Sequence, residues 1–77
     1  MPTRPRRVDP ADLIRYFSER VRYYRTQRGM SQSGLAAASG LPETTISRVE
    51  NAKSNAQLDT ISKLATALRI KPSDLLP

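Results

Sequence analysis

Apolar residues fall into three groups along the chain, each with the period of a helix. In the first, Leu13, Phe17, Val21 and Tyr24 recur at three- and four-residue spacing, which stacks side chains on one helical face. Ile14 and Tyr16 widen that sector and Tyr23 lies off it, so the stripe is expected to bury against the rest of the domain. Asp9-Pro10-Ala11-Asp12 reads as the start of this helix. Asp9 can cap the free amides, Pro10 suits a first helical position, and Asp12 is an acid in the first turn. Gly29 is its expected end.

The second group lies in Ser31 to Asn51, SQSGLAAASGLPETTISRVEN, which predicts two short helices joined by a tight turn. Ser31 is placed to cap a helix running from about Gln32 to Ser39, and Gly40 can take the positive φ of a sharp exit. Leu41 then returns to the interior and Pro42 opens the next helix, with Glu43 at the positive end of its dipole. Leu35, Ala36, Leu41, Ile46 and Val49 point inward. Ala36 must be small, because two helices crossing steeply over so short a turn leave little room. Glu43, Thr44, Ser47 and Arg48 remain on an outer polar ridge.

The third group, Leu58, Ile61, Leu64, Ala65 and Leu68, predicts a core-facing helix after the short polar loop 52–57. Pro72 to Leu76 suggests one turn of a fifth helix. The fold class is therefore all-α, a compact bundle of four to five helices in a single domain over residues 9–77. Residues 1–8, with two prolines and three arginines, are expected to form a flexible basic arm. Such an arm is either a solvated terminus or a segment that orders along phosphates or in a minor groove.

Composition narrows the chemistry. With neither cysteine nor histidine among 77 residues, the chain lacks disulfides, the usual zinc ligands and the commonest general base. No catalytic constellation, cofactor site or metal site is expected, and no apolar run is long enough to span a bilayer. Lys and Arg total 13 against 7 Asp and Glu, a net charge of +6. The excess is uneven: residues 1–28 carry eight arginines against three acids, a net of +5, whereas 31–51 nets −1. If the partner is nucleic acid, the flanks supply the attraction to phosphates and the motif supplies position and selectivity.

Taken from Gln32, the central stretch resembles the helix-turn-helix of the lambda-repressor-like (Xre/Cro-type) family. Gln32, Leu35, Ala36, Gly40, Leu41, Ile46, Val49, Glu50 and Asn51 carry the resemblance, which extends over residues 12–76. Two positions depart. Ser39 stands where a branched apolar residue is commoner, and Ala52 stands where glycine is common, so a positive φ there would strain it.

The resemblance implies a cytoplasmic regulator of transcription, bacterial or phage and nucleoid-associated, that binds double-stranded DNA as a repressor. In it the second helix of the motif lies in the major groove. Glu43, Thr44, Ser47 and Arg48 are then the base-contacting residues. Arg48 suits a bidentate contact to guanine, Thr44 a thymine methyl, and Glu43 a cytosine amine. Gln32 and Asn51 correspond to phosphate contacts, and Lys53, Ser54 and Asn55 are placed for further ones. Arg25 and Glu50 correspond to a structural ion pair. A homodimer on a palindromic operator is implied, paired through a C-terminal region in which Ile70, Leu75 and Leu76 are apolar residues a small monomer would leave uncovered. Two other readings compete: an antitoxin or restriction-modification controller that also binds a partner protein, and a protein- or RNA-binding domain in which the motif is only a scaffold.

Overall fold

In the computed structural model, residues 9–53 and 56–77 are described. The proposed arm over residues 1–8, and Ser54 and Asn55 of the proposed phosphate loop, lie outside them. Four α-helices and a terminal 3₁₀ turn make up the described chain: α1 (Pro10–Gln27), α2 (Gln32–Ser39), α3 (Glu43–Glu50), α4 (Leu58–Leu68) and the turn Pro72–Leu75.

Local chemistry sets the boundaries. Asp9 caps α1 by accepting the Ala11 N–H at 2.8 Å, and Ser31 caps α2 by accepting the Gly34 N–H at 2.9 Å. Each side chain satisfies one of the amides that the first turn of a helix leaves without a backbone partner. Gly40 closes α2 at φ 77°, where its N–H donates to the Ala36 carbonyl at 2.9 Å. Pro42 is extended (φ −61°, ψ 148°) and sits just outside α3, one residue earlier than the expected helical position. Its carbonyl accepts from Thr45 and Ile46 at 3.0 and 3.2 Å, so it still begins the ladder of α3.

The core gathers one face from every element: Phe17 and Val21 of α1, Leu35 and Ala36 of α2, Ile46 and Val49 of α3, Ile61, Leu64, Ala65 and Leu68 of α4, and Leu75 of the 3₁₀ turn. Leu35, Ile46, Leu64, Leu68 and Leu75 have no solvent exposure at all. Burying each such side chain is worth about 1.5–3 kcal/mol, and this is the principal driving force in a chain without disulfides.

Three leucines depart from expectation. Leu13, assigned to the buried stripe of α1, is 37% exposed. The whole first turn of α1, residues 10–13, stands in solvent, so the helix overhangs the core before Phe17 enters it. Leu58, assigned to the core of α4, is 82% exposed. It is the first residue of α4, at an end of the apolar face that no described residue covers. Leu75 departs in the opposite sense. Expected at an uncovered C-terminal surface with Ile70 and Leu76, it is fully buried in its own chain, whereas Ile70 and Leu76 are only partly buried. The 3₁₀ turn that the Pro72 segment forms folds back on α1 and α4, which removes Leu75 from any surface available to a second copy.

Among the described residues, backbone strain concentrates at two that carry side chains. Ala52 has φ 55° and Arg69 φ 60°, both in the left-handed region. Ala52 leaves α3 and its N–H donates to Val49 O at 3.1 Å; Arg69 ends α4.

Candidate nucleic-acid interface

The helix that carries the candidate readers is fixed from one side only. Ile46, Val49 and Glu50 of α3 are buried, whereas Glu43, Thr44 and Arg48 are exposed and Ser47 is half-buried. With eight residues at 3.6 per turn, these four side chains share one ridge pointing away from the core. Thr45, half-buried, flanks the ridge.

The inner end of α3 is held by Glu50. Its side chain has no exposure, an arrangement that requires complete pairing, since an isolated buried carboxylate is costly. Arg25 of α1 supplies that pairing in fork geometry: Nε donates to Oε2 at 2.6 Å and Nη2 to Oε1 at 2.9 Å. Its Nη1 donates to the Met30 carbonyl at 2.8 Å, tying in the segment before α2. The hydrogen bond from Arg25 to Glu50 raises the guanidinium above the ordinary arginine pKa.

More converges on Glu50 than one arginine. Gln32 Nε2 donates to Oε1 at 3.2 Å, and Arg22 Nε lies 3.6 Å from the same oxygen. The Glu50 main-chain carbonyl, left free at the end of α3, accepts from Ser18 Oγ at 2.7 Å and from Arg22 Nη2 at 2.9 Å. One residue thus joins α1, α2 and α3 at the point where the chain leaves the helix.

The sequence reading did not assign Ser18 or Arg22. A signal was available: Ser18, Arg22 and Arg25 lie four and three residues apart, a polar line running beside the apolar stripe of α1 and aimed at one partner.

Around this hub stand the candidate anchoring residues. Gln32 is half-buried at the start of α2 and uses one amide N–H on Glu50, leaving its second donor. Asn51 is exposed just past α3, and its Nδ2 donates to Ser47 Oγ at 3.3 Å. Lys53 is exposed, and its main-chain N–H donates to Arg48 O at 2.9 Å, so the backbone curls back under the end of α3. Among the described residues no group of three or more acidic, His or Cys side chains is arranged to hold a metal ion, and no helix is long and apolar enough to cross a membrane.

Comparison with known proteins agrees with this geometry. The helix-turn-helix family model matches residues 21–75. The control protein C.BamHI of Bacillus amyloliquefaciens is 41% identical over 61 residues, 78% of this chain and 75% of that protein. A "Neisseria hypothetical transcription factor" from Neisseria meningitidis serogroup B is 37% identical over 68 residues, 88% of this chain. The present chain spans 64% of that relative's length. Among solved structures, the restriction-modification controller protein C.AhdI of Aeromonas hydrophila superposes with a TM-score of 0.79 at 43% identity, covering 82% of this chain and 96% of that one.

Proposed function

Because the chain belongs to this helix-turn-helix family of DNA-binding regulators, we propose that it is a sequence-specific double-stranded DNA-binding transcriptional regulator, a repressor, that reads the major groove with α3. The observation carrying this reading is the one-sided burial of α3. Glu43, Thr44, Ser47 and Arg48 project together from a helix fastened by Ile46, Val49 and Glu50 behind it. A helix of this width enters the major groove, where every base pair presents a distinct set of donors, acceptors and methyl groups.

In this reading Arg48 contacts a guanine, a bidentate contact worth about 1–3 kcal/mol of discrimination. Thr44 and Ser47 offer single hydrogen bonds or a methyl contact, and Glu43 accepts from a cytosine amine while repelling phosphates in wrong registers. Gln32, Asn51 and Lys53 donate to the backbone, and Ser54 and Asn55, outside the described residues, are the further contacts proposed from the sequence. A single small domain buries little surface on DNA, so the protein acts as a homodimer on a palindromic operator with half-sites about one helical turn apart. Ile70 and Leu76 are the C-terminal apolar residues that remain for its interface. The site of action is the cytoplasm.

The second reading, a controller that serves a restriction-modification system, is favoured by the 41% identity to C.BamHI and the 43% identity to C.AhdI. It is compatible with the first, because it specifies which genes lie beside the operator.

Selection of bound duplexes from a random pool tests the proposal. Recovery of a two-fold symmetric site, with base preference at specific positions lost in Arg48→Ala, is the expected result. Failure to enrich any sequence would overturn it.

A further inference from the structure

The charges gathered around Glu50 do not cancel. One carboxylate faces two guanidiniums, Arg25 and Arg22, which leaves a local charge of +1. Arg25 is the true partner: it is 15% exposed and engages both carboxylate oxygens. Arg22 stands at 3.6 Å from Oε1, too far for a hydrogen bond, and its side chain is 55% exposed. Its Nη2 is anchored on the Glu50 carbonyl, so the surplus cation is held in place rather than free to swing. The surplus charge therefore sits at the solvent edge of the cluster, beside the Gln32 amide.

We propose that Arg22 and Gln32 together form a seat for one phosphate of the DNA backbone, with Arg22 a DNA-contacting residue contributed by α1. Both side chains approach the same carboxylate oxygen, Gln32 Nε2 at 3.2 Å and Arg22 Nε at 3.6 Å, so the two nitrogens lie no more than 6.8 Å apart. A single phosphate accepting from both at about 2.8 Å bridges such a gap. Gln32 keeps one amide N–H for this purpose and Arg22 keeps guanidinium donors beyond the one spent on the carbonyl. Glu50 does not repel the incoming phosphate strongly, because Arg25 already neutralises it. The seat also lies where α1, α2 and the end of α3 meet, so filling it fixes the angle at which α3 approaches the groove.

The inference rests on the DNA-binding reading, and salt dependence separates the two. The affinity of the wild-type protein for a duplex it selected from a random pool is measured across a salt series, with Arg22→Ala and Arg22→Lys alongside. Removing one phosphate contact lowers the magnitude of the log Kd against log salt slope by about 0.9. Arg22→Ala is expected to show that drop, and to weaken binding to selected and random duplexes by the same factor. Arg22→Lys, which keeps the charge, is expected to retain most of the slope. Ser18 still bonds the Glu50 carbonyl in both variants, so the fold should persist; Arg22→Gln serves if Arg22→Ala does not fold. An unchanged slope in a folded Arg22→Ala or Arg22→Gln protein overturns the phosphate seat. So does a loss confined to base preference, which would mark Arg22 as a purely structural prop for α3. If the wild-type protein selects no duplex, the DNA-binding reading fails first and takes this inference with it.

Discussion

Arg25 grips Glu50 through two hydrogen bonds, at 2.6 and 2.9 Å, across a sequence separation of 25 residues. The carboxylate is fully buried, so removing the arginine strands a charge in the interior. Arg25→Ala is expected to destabilise the domain by about 3 kcal/mol, the lower end for such a loss because Gln32 and Arg22 remain close. Urea unfolding of the single variants and of a double variant with Glu50→Gln measures it, and the double variant should recover part of the loss.

The same pair sets a pH expectation. The guanidinium pKa of Arg25 is raised by its hydrogen bond to Glu50, and a group whose folded pKa is raised stabilises at every pH below its unfolded value. For an arginine that value already lies in strong alkali. The arginine's contribution should therefore be constant from neutral pH to well into the alkaline range and fade only in strong alkali. Comparing unfolding of wild type and Arg25→Lys at neutral and mildly alkaline pH checks this; a difference that changes with pH between those points would contradict it.

Ala52 occupies a conformation that costs a residue with a side chain about 1 kcal/mol. Ala52→Gly should relieve the strain, offset in part by the greater freedom glycine has when unfolded, for a net gain of about 0.5 kcal/mol. A rise in Tm of a few degrees is the readout, with DNA affinity retained.

Leu75 and Leu58 should behave oppositely. Leu75 is sealed within the core of its own chain, and Leu75→Ala is expected to cost about 2–5 kcal/mol whatever the oligomeric state. Leu58 is 82% exposed, and Leu58→Ser should leave the stability of the monomer nearly unchanged. Chemical denaturation at several protein concentrations distinguishes these intramolecular effects from any linked to assembly.

Arg28 reaches across the fold to cap α4, its Nε donating to the Leu68 carbonyl at 2.9 Å. That carbonyl belongs to the last turn of α4, which has no lysine or arginine of its own. Arg28→Ala should cost about 1 kcal/mol, seen as faster hydrogen exchange in the last turn of α4 before the remainder of the helix is affected.

Helix positions were legible because each is set within a few residues. Asp9, Ser31 and Gly40 cap or terminate the segments in which they lie, and the apolar period supplies the rest. The strain at Ala52 was raised only through the resemblance, in which glycine is common at that position, and the φ of 55° shows that the positive φ is adopted. Leu13, Leu58 and Leu75 were not legible, because period assigns a direction on a helix but not whether a neighbour lies in that direction. For α1 and α4 that depends on where the helix overhangs its partners, and for Leu75 on a 3₁₀ turn closing over the core. Within the candidate site, the outer ridge of α3 followed from Ile46 and Val49 lying three residues apart on the opposite, inward face of the helix. Pairing Arg25 with Glu50 came from resemblance, whereas Ser18 and Arg22 bond a main-chain carbonyl, an acceptor every residue possesses and no side-chain pattern advertises.

Fastening α3 by Glu50 at its rear has a bearing on how such a domain diversifies. The residues that keep the helix in place and the residues that would choose a target are separate sets, so the second can drift while the first stays constant. Under the proposed DNA-binding reading, a chain built this way acquires a new target sequence by exchanging a handful of outward side chains, without renegotiating its architecture.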